Sequence, residues 1–282
     1  MKIIITGARG LVGQHLARHF HQAHDVLALS HAELDIADRE AVRRLVDRER
    51  PELIVNCAVI GVDDCERDPA RADAVNVEGP HNLAAAATET GAELLHYSTN
   101  YVFDGRSETF YTISDEALPL NIYGQTKLAG EQAVQAACPR SYIVRTSWVF
   151  GTGRDTFLST AHRHLLAGQK IKAVTDVWAS TTFVSDLVQR TGEIIARRHY
   201  ATYQVVNAGV CSYHDFAVEA SRLVDLDMER VERLIESVRE DEMDRLAPRP
   251  RYTPLRCLVS EELHLEPLRD WRAALADYIT QS

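Results

Sequence analysis

The chain has 282 residues, 45% of them apolar and 26% charged, with a formal charge of -10, enough to bury the core of one large α/β unit or of one domain with a smaller appendage. The acidic excess is offset by no basic stripe, which argues against a nucleic-acid surface but leaves room for a nucleotide held by local donors. Five scattered cysteines without a CxxC pair (Cys57, Cys65, Cys138, Cys211, Cys257) suggest neither a disulfide framework nor a metal site, and a reducing cytoplasm fits best. Met1 leads straight into an apolar run without a charged leader, and no stretch reaches the length of a membrane helix, so neither export nor a membrane partner is expected.

Lys2–Thr6 is a β-branched run of the kind buried on both faces of a parallel sheet. It enters Gly7-Ala8-Arg9-Gly10-Leu11-Val12-Gly13, after which Val12, Leu16 and Phe20 recur at helical spacing. Strand, glycine turn and helix form the context in which a dinucleotide pyrophosphate sits at a helix N-terminus. Gly7 is read as the tight exit, Gly10 as the point of backbone approach, and Gly13 as the close contact of helix and sheet.

The second strand, Val26–Leu29, ends at Ser30-His31, where an acid would favour NAD by binding the ribose 2′-hydroxyl. No carboxylate follows until Glu33, so Ser30 and His31 are read as donors to a 2′-phosphate, which favours NADPH while allowing NADH. Asp38 is a candidate N-cap for a helix through Val42, Leu45 and Val46, stopped by Pro51. Leu53–Asn56 forms the third strand and runs into the small residues Cys57-Ala58-Val59, suited to lie against a cofactor. A helix ends near Gly91, and a fourth strand, Glu93–Tyr97, delivers Ser98-Thr99-Asn100-Tyr101. The alternation implies a doubly wound parallel sheet, whose ligands bind beyond the strand C-termini.

Tyr123 and Lys127 lie one turn apart on one helix face. Alone they titrate near ~10 and ~10.4. A cation beside the phenol favours phenolate and makes proton transfer near neutrality feasible, as reduction of a carbonyl requires. The chain has only four lysines, Lys2, Lys127, Lys170 and Lys172, so a lysine here is less expected as filler. Thr99, arriving at a strand end, is the hydroxyl expected to hold the carbonyl oxygen. Further on, Tyr142–Arg145 and Tyr203–Asn207 read as strands, Phe157–Leu166 as a helix and Ile171–Val174 as a short strand, and the charged run Asp225–Arg245 as one solvated helix.

Several blocks carry a family likeness. Gly7–Gly13, Leu34-Asp35-Ile36-Ala37-Asp38, Ser98–Gly105, Pro119–Glu131, Arg145–Gly151, Ser212–Ala217 and Arg249-Pro250 together resemble the dTDP-4-dehydrorhamnose reductases, members of the extended short-chain dehydrogenase/reductases, over nearly the whole length. The resemblance implies a Rossmann-like sheet with a smaller C-terminal α/β substrate-binding lobe. The dinucleotide domain would occupy 1–150 with returns around 183–207, and the lobe mostly 151–182 and 208–282. It implies reduction at C4 of a nucleotide-linked 4-keto-6-deoxy sugar, with Tyr123 as proton donor, Lys127 on the phenol and the nicotinamide ribose, and Thr99 on the keto oxygen. The cofactor set is then Gly7, Gly10, Leu11, Val12, Gly13, Ser30, Asp35, Ile36, Ala58, Val59, Tyr123 and Lys127, and the substrate set Thr99, Asn100, Trp148 and Arg249, the last suited to a diphosphate. No metal is expected, and a homodimer is left open.

Three departures from the family pattern fall on the substrate side. Asn100 stands where the family has aspartate, Val59-Ile60-Gly61 replaces A-Y-T, and Asp176–Thr182 lacks the glutamine, glycine and proline of DQxGxPT. Other reductases or epimerases of the superfamily, and the regulatory subunit of methionine adenosyltransferase, therefore stand as alternatives.

Overall fold

The computed structural model describes residues 1–281. Six strands, β1 (Lys2–Thr6), β2 (Asp25–Leu29), β3 (Leu53–Asn56), β4 (Glu93–Thr99), β5 (Ser141–Thr146) and β6 (Thr202–Gln204), form a wholly parallel sheet in the order β2-β1-β3-β4-β5-β6. Strand side chains alternate between faces, and the consecutive isoleucines of β1 show the division. Ile3 and Ile5 join one apolar cluster with Leu16 and Phe20 of α1 (Leu11–Phe20). Ile4 joins the other with Val42 and Val46 of α2 (Arg39–Glu49), Leu83 of α3 (Gly79–Thr90) and Val134 of α4 (Ile122–Ala137). Burial on both faces explains why these strands read as unbroken apolar runs.

Further along come α5 (Phe157–Leu166), α6 (Val184–Arg197), α7 (Tyr213–Leu223) and α8 (Trp271–Gln281). Leu187, Val188 and Ile194 of α6 and Trp271, Leu275 and Tyr278 of α8 lie in the same cluster as Ile3 and Val144, so the end of the chain packs into the core under the main sheet. Around these helices sit small sheets: Cys211–Ser212 beside Trp178–Ala179 beside Tyr252–Thr253, and Ile171–Val174 paired in parallel with Ile235–Val238.

That last pairing corrects the reading of Asp225–Arg245 as one solvated helix. Helix Met228–Leu234 stops after seven residues, Ile235–Val238 becomes a strand and Glu240–Glu242 a short 3₁₀ turn. Val231, Leu234, Ile235 and Val238 are buried. Four apolar side chains among the alternating charges are enough to dock the segment on a neighbouring strand, which a count of charges does not register.

β1 is flanked by β2 on one side and β3 on the other, so the exits of β1 and β3 open onto one crevice, the switch point of a doubly wound sheet. Gly7 has φ +67°, and a Cβ there would stand 2.5 Å from the Cys57 carbonyl carbon and 2.6 Å from the Ala58 nitrogen. Only glycine lets the two exits press together. On the opposite side of the sheet, α4 lies against the turn Ala74–Glu78, where a Cβ on Gly130 would fall on the carbonyl oxygen of Asn76. Gly130→Ala is expected to lower stability by about 1–3 kcal/mol by overpacking, read as a lower urea midpoint at unchanged slope. An unaltered midpoint would show that the turn yields freely.

Candidate active site

α1 begins at Gly10 with no side-chain cap and no acid in its first turn, leaving its positive end and free N–H groups open to an anion. Beside it lies a cleft of about 440 Å³ lined by Gly7, Gly10, Ser30, Asp35, Ile36, Ala58 and Val59, all expected there, and by Arg9, Arg71 and Arg154, which were not. Leu11 and Val12 supply the first helical turn; Leu11 is buried. Gly13 packs against the glycine turn more than against the sheet, since a Cβ there would stand 2.5 Å from the Gly7 oxygen. A cationic rim, an uncapped helix start and an apolar floor fit a dinucleotide.

The end of β2 differs from expectation. Glu33 folds back so that its carboxylate accepts from both the Ser30 amide (2.8 Å) and the Ser30 hydroxyl (2.7 Å), and these bonds hold its pKa below the ordinary value. Ser30 is thus committed to an acid, and a negative charge stands where the sequence seemed to lack one, because a turn brings the third residue back onto the first. His31 remains exposed, 3.8 Å from Asp35. The cleft's positive charge comes instead from the arginines. Arg9 lies within the glycine turn and was visible there. Arg154 is delivered by a loop tied to α1 through Gln14 to the Gly153 carbonyl (3.2 Å) and His15 to that of Thr152 (2.8 Å), a contact that no local pattern announces.

Across the crevice, α4 starts at Asn121, whose side chain caps the Gly124 amide (2.8 Å), while Glu66 accepts from the Ile122 amide (2.8 Å). Tyr123 is fixed in the first turn, its ring edge-on to Tyr101 at 5.6 Å. Gly124 makes this possible, for a Cβ there would fall on the Tyr101 carbonyl oxygen. Burial drives the Tyr123 pKa up and a hydrogen bond with Thr99 opposes the rise, so burial prevails and the phenol keeps its proton at neutral pH. Thr99, at the end of β4, donates to Asn100 Oδ1 (3.2 Å) and accepts from the Tyr101 amide (3.2 Å).

Lys127 is buried and donates to the Tyr97 carbonyl (2.6 Å), with its nitrogen 3.1 Å from His96 Nε2. Burial lowers its pKa to about 8, against a smaller upward pull from Glu131. Asn76, buried in the turn below, accepts from the Ile60 amide (3.2 Å) and donates to Thr126 (3.1 Å), tying the loop after β3 to α4. It, too, escaped sequence reading.

Of the residues expected at the substrate, Thr99 stands beside Tyr123, but the others have partners within the protein. Asn100 donates to Thr253 (2.7 Å). Trp148, held at φ +41°, stacks on Tyr213 at 4.0 Å. Arg249 grips Asp63 with both terminal nitrogens (2.9 and 2.8 Å) and the Ala247 carbonyl with one (2.8 Å). It is therefore a strap between the C-terminal segment and the short helix Val62–Arg67, with its fork already filled.

A phosphate-ready glycine turn facing a tyrosine and a lysine from one helix places the molecule among the extended short-chain dehydrogenase/reductases. The chain belongs to the family defined by the RmlD substrate binding domain, whose model matches residues 1–282. It is 43% identical to a dTDP-4-dehydrorhamnose reductase of Mycolicibacterium smegmatis over 99% of this chain and 85% of that one. It is 37% identical to a probable dTDP-4,6-dihydroxy-2-methyloxan-3-one 4-ketoreductase of Streptomyces antibioticus, covering 98% and 94%. Among solved structures, dTDP-4-dehydrorhamnose reductase from Bacillus anthracis in complex with NADP superposes with a TM-score of 0.94 at 30% identity, covering 100% of this chain and 99% of that one. The protein is an oxidoreductase of this family. No helix among the described residues is long and apolar enough to cross a membrane.

The Asp63–Arg249 strap makes stability depend on pH. Arg249 holds the Asp63 carboxyl down to about 2, so the pair stabilises the fold fully above the ordinary carboxylate value of ~3.9 and loses that contribution as pH falls toward the lowered one. With Asp63 about a third exposed, solvent screening leaves a contribution of roughly 1 kcal/mol. Asp63→Asn is expected to unfold at lower urea at neutral pH and to converge with the unaltered protein in acid. A gap that persists at the lowest pH would mean that the loss is steric.

Proposed function

We propose that the protein reduces the C4 keto group of a dTDP-linked 4-keto-6-deoxy sugar to an alcohol in the cytoplasm, with NADPH as the preferred reductant, giving dTDP-L-rhamnose or a related deoxysugar. The observation that carries this reading is the half-buried Tyr123 phenol hydrogen-bonded with the Thr99 hydroxyl, one helical turn from Lys127. The relatives' names supply the substrate class, and their difference from one another marks the sugar as the variable part.

The glycine turn and the first turn of α1 would hold the cofactor's pyrophosphate, and Ala58 and Val59, which line the same cleft, would contact the cofactor. When bound, the nicotinamide supplies the hydride. Thr99 positions the keto oxygen, and Tyr123 gives its proton to that oxygen as negative charge develops there. A phenol that burial keeps protonated suits the direction of reduction, since the donor must hold its proton until the transition state. Lys127, as the cation, stabilises the phenolate left behind. The arginines favour a cofactor with an extra phosphate, whereas Glu33 opposes it. The arginines prevail on charge, three positive groups against the two carboxylates Glu33 and Asp35.

Tyr123→Phe is expected to abolish NADPH oxidation with every member of a panel of dTDP-4-keto-6-deoxy sugars while leaving cofactor affinity largely intact, because the ring stays and the proton is lost. Activity within a few fold of the unaltered protein would retire Tyr123 as the acid. Arg9→Ala is expected to raise the KM for NADPH about tenfold, consistent with loss of one charge-assisted contact, and to change that for NADH much less. Equal effects on both cofactors would place Arg9 on the pyrophosphate instead.

A further inference from the structure

The buried hydrogen bonds that lead from β1 to Lys127 constrain where protons sit. The Ala58 backbone amide can only donate, and it lies 3.0 Å from Asn56 Oδ1, which also receives the Thr6 hydroxyl at 2.7 Å. The Asn56 side chain is thereby oriented, so its NH₂ faces His96 Nδ1 at 3.0 Å. That ring nitrogen must present a lone pair. A singly protonated imidazole then carries its hydrogen on Nε2, and this N–H points at Lys127 Nζ, 3.1 Å away. An imidazolium would set an N–H against the Asn56 NH₂, and an ammonium at Lys127 would set an N–H against the His96 N–H. The arrangement that satisfies every donor has the lysine as a free amine, accepting from His96 and donating to the Tyr97 carbonyl.

We propose that His96 is a positioning residue whose Nε2–H, aimed at Lys127 Nζ, disfavours the ammonium, so that Lys127 divides between amine and cation in a proportion that His96 sets. Its surroundings agree. On β4 stand His96 and the Tyr97 carbonyl, and at the end of β3 is Cys57. Helix Val62–Arg67 contributes Cys65, whose thiol burial pushes up to about 11, and α4 itself contributes Tyr123 and Glu131. The one carboxylate in this set, Glu131, is taken up by three hydrogen bonds from Arg145. Burial lowers the proton affinity of both Lys127 and His96. The consequence for turnover rests on the reductase reading: the cation that stabilises the Tyr123 phenolate is present only in the fraction of molecules with Lys127 protonated, and His96 sets that fraction.

With only four lysines in the chain, ¹⁵N-lysine NMR of the full-length protein resolves the question, Lys127 being assigned through Lys127→Arg. Lys127 is expected to titrate at about 8. In His96→Asn the side-chain oxygen still accepts from Asn56, while the shorter side chain places no N–H at the position of the imidazole Nε2, and the Lys127 midpoint is expected to rise by roughly one pH unit or more. The imidazole ¹⁵N spectrum of the unaltered protein, which needs no variant, is expected to show His96 neutral with its proton on Nε2. A proton on Nδ1, or a Lys127 midpoint equal in the two proteins, would overturn the proposal. The alkaline limb of kcat with NADPH and a dTDP-4-keto-6-deoxy sugar is expected to move upward in His96→Asn by the shift seen in the titration. An unmoved limb would overturn the link to turnover. Absence of any turnover in the unaltered protein would overturn the reductase reading and leave the titration standing.

Discussion

The site depends on one buried nitrogen. Lys127 is fully enclosed, and a lysine in such a place is tolerated only if its hydrogens are received. The carbonyl of Tyr97, inside β4, receives one of them. This single bond sets the distance of α4 from the sheet, and with it the position of Tyr123 one turn away relative to Thr99 at the end of the same strand. Two small residues allow the approach: Gly124 against the Tyr101 segment and Gly130 against Asn76. Tyrosine, lysine and these glycines form one device, in which the glycines admit the helix and the lysine pins it.

On the other side of the crevice the same economy holds. Gly7 brings the exits of β1 and β3 into contact, so Asn56 can reach Ala58 and His96 from the end of its own strand. The glycine turn and α4 are therefore connected through the sheet by Thr6, Asn56, His96 and Lys127, a line of buried polar side chains. Such a line is costly unless every member is satisfied, and that requirement is what restricts the protonation of its last member.

Much of this was legible in the sequence, for identifiable reasons. Buried parallel strands read as apolar runs, Asp38 caps α2 as its side-chain chemistry implies, and the glycine turn follows its strand directly. What stayed hidden was set by chain reversal and by contacts between distant segments. Glu33 curls back three residues onto Ser30, Arg154 is carried to the cleft by a loop that α1 holds, and Arg249 finds Asp63 across 186 positions. The segment Asp225–Arg245 misled because its charges alternate while four buried side chains decide its structure.

The division between what the family retains and what this chain changes follows the same physics. Tyr123, Lys127 and Thr99 sit where α4 meets the sheet, and any change there disturbs both packing and chemistry. The Val59–Gly61 loop is exposed and can re-form its hydrogen bonds locally, whereas Asn100 and residues 179–182 are buried and find their partners within the protein. Asn100 illustrates the point: in place of an acid it binds Thr253 and Thr99 at once, which turns a charged edge into a neutral tie between β4 and the strand Tyr252–Thr253. These departures are thus absorbed by local hydrogen bonds, while α4 stays pinned to β4 through Lys127 and the Tyr97 carbonyl.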